Sequence, residues 1–193
     1  PADFTANFNL GAVMLSRLDA PGAVAMLETA VGISPQRADA HNMLGLALAT
    51  TGRSAEATAQ YRMALEIQPD LASARFNLAN ALMKSGRLEE AIAAYRRVQA
   101  IQPDFATVRQ RLAQALTALA RRLKADDRIA EAAVDCREAI TLDPDDAEAH
   151  GDLGALLILQ GRLADALAEL NRALELDPAD FEARENRDLL VNR

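Results

Sequence analysis

Residues 38–71 read ADAHNMLGLALATTGRSAEATAQYRMALEIQPDL, and residues 72–105 read ASARFNLANALMKSGRLEEAIAAYRRVQAIQPDF. Laid over one another, they agree in their small and apolar columns, and both close on Gln-Pro-Asp. The prolines extend this ruler along the chain: Pro1, Pro35, Pro69, Pro103, Pro144 and Pro178 are spaced by 34, 34, 34, 41 and 34 residues. Proline has no N–H to give, and its ring collides with the preceding turn, so it ends a helix instead of sitting inside one. The ladder therefore marks the same junction in successive copies of one structural unit.

Counted from the third residue after each proline, the units are 4–37, 38–71, 72–105, 106–146 and 147–180, followed by a remnant at 181–193. The seventh position is Leu10, Leu44, Leu78, Leu112 or Leu153, and the eighth is small: Gly11, Gly45, Ala79, Ala113 or Gly154. In the second half of each unit a small column reads Ala23, Ala57, Ala91, Ala132 and Ala166. A larger one four residues on reads Leu27, Tyr61, Tyr95, Cys136 and Leu170. Spacings of three, four and seven put these residues on one helical face. Small residues there let helix axes approach, and large ones fill the gaps between them. Gly52, Gly86 and Gly161 stand mid-unit, where a first helix should stop and a second begin. Each unit is thus predicted to be a helical hairpin too small to stand alone, so that neighbours must stack.

These columns closely resemble the tetratricopeptide repeat, whose period is 34 residues. The Leu-Gly pair of that repeat appears as Leu10-Gly11, Leu44-Gly45 and Leu153-Gly154, and its second-helix aromatic as Tyr61 and Tyr95. The slot that holds Trp in the family carries Asn7, His41, Arg75, Arg109 and His150 here. The resemblance implies an all-α, right-handed superhelical solenoid of eleven helices forming a single array, in which residues 181–193 act as a capping helix. It also implies a non-catalytic scaffold that binds a protein or peptide on the concave face lined by the first helices. On that alignment the inward residues are Phe8, Asn9, Asn42, Met43, Leu46, Phe76, Asn77, Asn80, Met83, Lys84, Gln110, Arg111 and Gln114. Amides there can donate to and accept from an extended peptide backbone, while Phe and Met form adaptable pockets. The carboxylate clamp of heat-shock co-chaperones is matched only by Asn77 and Arg111, so a standard clamp is not expected. Arrays fused to O-linked N-acetylglucosamine transferases run an asparagine ladder, which Asn9, Asn77 and Asn186 follow and Met43, Arg111 and Asp152 break. Two alternatives stay open: the targeting arm of a larger enzyme such as a glycosyltransferase, and a self-assembling array.

Composition agrees with an alanine- and leucine-rich helical stack: half the residues are hydrophobic, and there is no Trp. Net charge is −7, distributed as −3 over residues 1–71, +6 over 72–128 and −10 over 129–193. An acidic chain is a poor partner for nucleic acid, whose footprint needs a clustered basic face, so no nucleic acid is expected, although the basic middle keeps that reading open; a patch that steers an acidic protein partner is the better expectation. No apolar run of about 18 residues is present, so no membrane partner is expected, and the expected setting is soluble and cytoplasmic. Metal, cofactor and nucleophile motifs are absent, so no cofactor, metal or catalytic residue is assigned. His41 and His150 share one repeat slot, which points to packing between hairpins. The lone Cys136 excludes an internal disulfide and falls in the core column of Tyr61 and Tyr95. Pro1-Ala2-Asp3-Phe4 echoes Pro178-Ala179-Asp180-Phe181, so Pro1 is expected to close a preceding repeat of a longer protein.

The fourth unit carries seven extra residues. Seven residues make nearly two helical turns, so the apolar face survives with about 20° of drift. Leu112, Leu116, Leu119 and Leu123 continue as one stripe, which suggests a first helix lengthened by two turns. Two readings follow: an overhang on which Leu119, Arg122 and Leu123 form a protein contact or self-association site, or an enlarged hairpin that covers the stripe itself.

Overall fold

The computed structural model describes residues 3–104 and 106–192, the side chain of Ala106 excepted, and Pro1 lies outside them. The described residues contain eleven α-helices and no strand. They are α1 (Phe4–Ser16), α2 (Ala20–Ile33), α3 (Ala38–Thr50), α4 (Ser54–Ile67), α5 (Ala72–Lys84), α6 (Leu88–Ile101), α7 (Ala106–Ala125), α8 (Ile129–Leu142), α9 (Ala147–Leu159), α10 (Leu163–Leu176) and α11 (Phe181–Val191). The chain divides into two compact units, residues 1–103 and 104–193.

In the first unit α1–α2, α3–α4 and α5–α6 pair as hairpins, and α2 and α4 each pack on the first helix of the next hairpin. Glycine stops the first helices. Gly52 and Gly86 take the left-handed conformation (φ 81° and 74°) that side chains resist. The next residue then turns its N–H back into the helix, with Arg53 N donating to the Leu48 carbonyl at 2.9 Å and Arg87 N to Leu82 at 3.0 Å. The first hairpin makes the same turn without glycine, placing Leu18 at φ 64° with its side chain in solvent. Pro21 stands in the first turn of α2, where its missing N–H costs nothing, and Asp19 caps that helix through the Gly22 N–H.

The small column sets the distance between paired helices. A Cβ added to Gly11 would stand 2.6 Å from Leu27 Cγ, and one added to Gly45 would stand 2.6 Å from Tyr61 Cε1. The leucine side chain and the tyrosine ring therefore lie directly on the backbone of the partner helix. The former Trp slot holds a polar donor that clasps a carbonyl at the preceding junction. Asn7 donates to the Asp3 carbonyl at 2.8 Å, His41 Nε2 to Pro35 at 3.0 Å, and Arg75 to the Pro69 carbonyl.

The second unit repeats these devices. His150 Nε2 donates to the Pro144 carbonyl at 3.1 Å, and Arg184 to that of Pro178. Gly154 lies under Leu170, whose Cγ would be 2.6 Å from an added Cβ. α7–α8 and α9–α10 pair as hairpins, and α11 packs on both α9 and α10. α7 spans 20 residues where α1, α3, α5 and α9 span 13, and its turn puts Asp127 at φ 60° in place of glycine. Counted back from that turn, the Leu-small-Leu columns fall on Leu119, Ala120 and Leu123. Ala120 and Leu123 share a buried cluster with Cys136, Leu153 and Leu157. The added residues thus extend α7 toward its N-terminus, and the turn-proximal stripe is ordinary repeat core. This corrects the contact-site reading. Leu123 is 6% exposed, and Leu119 packs against the same cluster, so α8 and α9 of the same unit cover the stripe. Arg122 is exposed beside it but has no apolar patch to ring.

Candidate functional site

On α1, α3 and α5 the residues expected to face a ligand differ in how far the core claims them. Phe8 and Met43 are half-buried against the cluster built by α2, α3 and α4. Phe8 also stacks on Phe4 with ring centroids 5.5 Å apart, and the Arg37 guanidinium lies 4.4 Å over the Phe4 ring. Phe76 meets Tyr95 edge-on at 5.9 Å. Asn9, Leu46 and Lys84 are exposed, while Asn42, Asn77, Asn80 and Met83 are half-buried.

The amides are connected. Asn77 Nδ2 donates to Asn42 Oδ1 at 2.9 Å, and Asn42 Nδ2 donates to Ser73 Oγ at 3.3 Å, joining α3 to α5. Asn77 bonds through its Nδ2 and keeps its Oδ1, while Asn42 bonds through both ends; a carboxamide has two donor hydrogens and two lone pairs, so each has capacity left for a further partner. Asn80 is engaged from the other side, where the Tyr95 hydroxyl donates to its Oδ1 at 2.6 Å and lies 3.9 Å from Met83 Sδ.

Beside this relay is a cleft of about 240 Å³, lined by α3, α4 and the end of α5 and open to solvent. Leu46, Ala49, Ala57 and Ala81 supply its apolar wall, and Tyr61, Asn77, Asn80, Lys84, Ser54 and Ser85 its polar groups. Tyr61 is 2% exposed, and burial pushes its phenol up to about 12. The residues expected from the sequence therefore come together in part: Leu46, Asn77, Asn80 and Lys84 share one cavity, and Asn42 and Met43 lie close by on α3. Tyr61, Ala49 and Ser54 were not anticipated as lining residues. Their signal was available, because Ala49 and Leu46 hold the slots that carry Met83 and Asn80 one period later.

In the second unit Gln110, Arg111 and Gln114 are exposed on α7, with Arg111 Nη1 donating to Gln114 Oε1 at 3.2 Å. Counted from the turn they stand one heptad N-terminal of the slots assigned to them, on the same helical face. The turn-based slot of Asn80 and Leu46 falls on Arg121, which is paired with Asp152 at 2.6 Å and Glu148 at 3.5 Å. Burial pushes the Asp152 carboxyl above its ordinary range even with Arg121 beside it. His41 and His150 are buried, with Nδ1 lying 2.7 Å from the Gln60 amide and 2.6 Å from the Glu169 carboxylate, respectively. Both serve to pin hairpin to junction. Among the described residues no cluster suited to a metal ion occurs, and no helix is long and apolar enough to cross a membrane.

Stacked hairpins with a small-residue seam, tight left-handed turns and carbonyl clasps by Asn7, His41, Arg75, His150 and Arg184 define a helical repeat array. Sequence models of the tetratricopeptide repeat match residues 15–72, 72–105 and 123–185. The chain belongs to the tetratricopeptide-repeat family, whose arrays are typically non-catalytic modules of protein interaction. No curated protein sequence matches it. Among solved structures it is similar to YrrB, described as a TPR protein with an unusual peptide-binding site, at 18% identity and a TM-score of 0.76, over 97% of this chain and 93% of that one. It is also similar to MamA from AMB-1, at 23% identity and a TM-score of 0.71, over 91% and 92%. MamA from Desulfovibrio magneticus RS-1 gives 19% and 0.69, over 92% and 97%. At these identities the likeness is one of fold.

Proposed function

We propose that the chain is a peptide-binding scaffold whose first-helix face takes an extended segment of a partner protein. The observation that carries this reading is the Asn42–Asn77 relay, two carboxamides with spare capacity beside the cavity of the first unit. An extended peptide needs donors and acceptors along its backbone and pockets for its side chains, and this face offers both. In this reading Asn42, Asn77 and Asn80 hold backbone, and Phe8, Asn9, Met43, Leu46, Phe76, Met83 and Lys84 meet side chains. Gln110, Arg111 and Gln114 play the same part for the second unit. YrrB, described as having an unusual peptide-binding site, is a neighbour in fold consistent with such a use.

The test selects ligands from a random peptide library displayed on phage, then measures the enriched peptides against wild type and Asn77→Ala by fluorescence anisotropy. Asn77→Ala should weaken binding severalfold with thermal unfolding unchanged, since it removes polar contacts and no core. Peptides that bind wild type and Asn77→Ala equally would move the site off this face.

A further inference from the structure

The cavity of the first unit contains a polar group that the fold leaves unused. Tyr61 is 2% exposed and lines the cavity, and its hydroxyl has no hydrogen-bond partner among the described residues. The hydroxyl opens into the cavity, where a phenol O–H without a protein partner is free to donate to a ligand. The equivalent hydroxyl one period later, that of Tyr95, donates to Asn80 Oδ1 at 2.6 Å. In the repeat of Tyr61 the slot of Asn80 holds Leu46, which cannot accept, and the slot of Met83 holds Ala49, which leaves the space open.

The other groups at the cavity have one sign of preference. Lys84 lines it and pairs with no carboxylate among the described residues. Ser54, the first residue of α4, also lines it and adds a hydroxyl. A phenol O–H and an ammonium that line one cavity favour an acceptor that carries negative charge. Leu46, Ala49, Ala57 and Ala81 wall the approach with apolar surface, which suits a short methylene stem.

We infer that this cavity is an acid-selective subsite, taking the side chain of a glutamate in the bound peptide with its carboxylate on the Tyr61 hydroxyl and the Lys84 ammonium. The inference rests on the peptide-binding reading and specifies its sequence preference.

The experiment uses peptides enriched from the random library. Each is synthesised in three forms: as selected, with its glutamate exchanged for glutamine, and with an amidated C-terminus. All are measured by fluorescence anisotropy against wild type, Lys84→Gln, Tyr61→Phe and the Leu46→Asn/Ala49→Met double variant, with circular dichroism confirming the helical fold of each. The expected result is a glutamate at a fixed place in the enriched peptides. Its exchange for glutamine should weaken binding to wild type about tenfold or more, as loss of a charge-assisted contact does. That penalty should shrink to less than about threefold in Lys84→Gln, and Tyr61→Phe should weaken the glutamate peptide severalfold. The double variant should weaken it too, because it supplies the Tyr61 hydroxyl with an internal acceptor and fills the cavity. Equal binding of glutamate and glutamine peptides overturns the inference and leaves the peptide-binding reading standing. Loss on amidation with the glutamine exchange neutral also overturns it, assigning the cavity to a terminal carboxylate. Failure to enrich any peptide overturns both.

Discussion

Tyr61 and Tyr95 stand 34 residues apart in the same repeat slot, and both are almost wholly buried. Both rings lie against a small residue of the paired first helix, Gly45 for one and Ala79 for the other, by the register of the columns. They part at the hydroxyl. Tyr95 is satisfied within its own hairpin by Asn80 and Met83, whereas Tyr61 faces a cavity. Two side-chain exchanges on a first helix, Asn to Leu and Met to Ala, turn a closed core position into an open polar one without altering the backbone plan. A repeat array can thus vary the polarity of its clefts at second-helix positions, even though the family is usually read from its first helices.

The largest effect expected from breaking this comparison is at Gly45. A leucine there would drive its Cβ to within 2.6 Å of the Tyr61 ring, with the Ala57 carbonyl only 3.2 Å away. Overpacking of this kind costs about 1–3 kcal/mol. Urea unfolding followed by circular dichroism should show that loss for Gly45→Leu. A neutral result would mean that the ring does not rest on α3 and that the columns are misaligned. Gly154→Leu, which meets Leu170 Cγ at 2.6 Å, should behave alike and serves as the control outside the tyrosine pair.

Next in size is the difference between two deletions of one oxygen. Tyr95→Phe strands the Asn80 carbonyl that accepts at 2.6 Å and should cost about 1 kcal/mol. Tyr61→Phe removes a hydroxyl with no internal partner and should change stability by less than about 0.5 kcal/mol. In the Leu46→Asn/Ala49→Met background, Tyr61→Phe should instead cost what Tyr95→Phe costs in wild type. Equal losses from both single variants would show that the two hydroxyls are equally satisfied and that the contrast is false.

Much of this was legible beforehand, and the exceptions have physical causes. Proline spacing, the Leu-small pairs and the mid-unit glycines were enough to read eleven helices and their hairpin pairing, because each is a local backbone requirement repeated in register. The register of α7 was not legible. An insertion of seven residues keeps the helical face, so Leu112-Ala113-Leu116 and Leu119-Ala120-Leu123 satisfy the same columns, and only the packing of Ala120 beside Cys136 separates them. The candidate site was legible as a face and illegible as a cavity. Asn77, Asn80 and Lys84 could be placed by slot, but the cavity exists through the conjunction of Leu46, Ala49 and Tyr61 on two helices. The positively twisted turns at Leu18 and Asp127 were likewise hidden, since neither residue type signals left-handed backbone as glycine does.

A third occupant of the tyrosine slot sharpens the comparison from another side. Cys136 is fully buried, and its thiol is pushed up to about 12, chiefly by burial and then by the charge of Asp152. It should therefore resist iodoacetamide in the native protein and react at the rate at which the second unit opens, as read by mass spectrometry across a urea series. Rapid modification without urea would show that this slot is not sealed in every repeat.

A pH dependence confined to Tyr61 tests the same contrast by another route. Its phenol is raised to about 12 by burial, whereas an unfolded tyrosine titrates near 10. Between those values the unfolded chain gives up a proton that the folded chain keeps, so the linkage opposes folding as pH rises. The contribution is whole below about pH 10 and is lost as pH climbs through about 12. The informative quantity is the difference between wild type and Tyr61→Phe, in which the contributions of all other groups cancel. Urea unfolding of both proteins at about pH 9 and about pH 11 should show wild type losing stability relative to the variant at the higher pH. A difference that stays constant would mean that water in the cavity solvates the phenolate. The hydroxyl would then be satisfied by solvent as fully as Tyr95 is by Asn80, and the contrast between the two repeats would lie in shape alone.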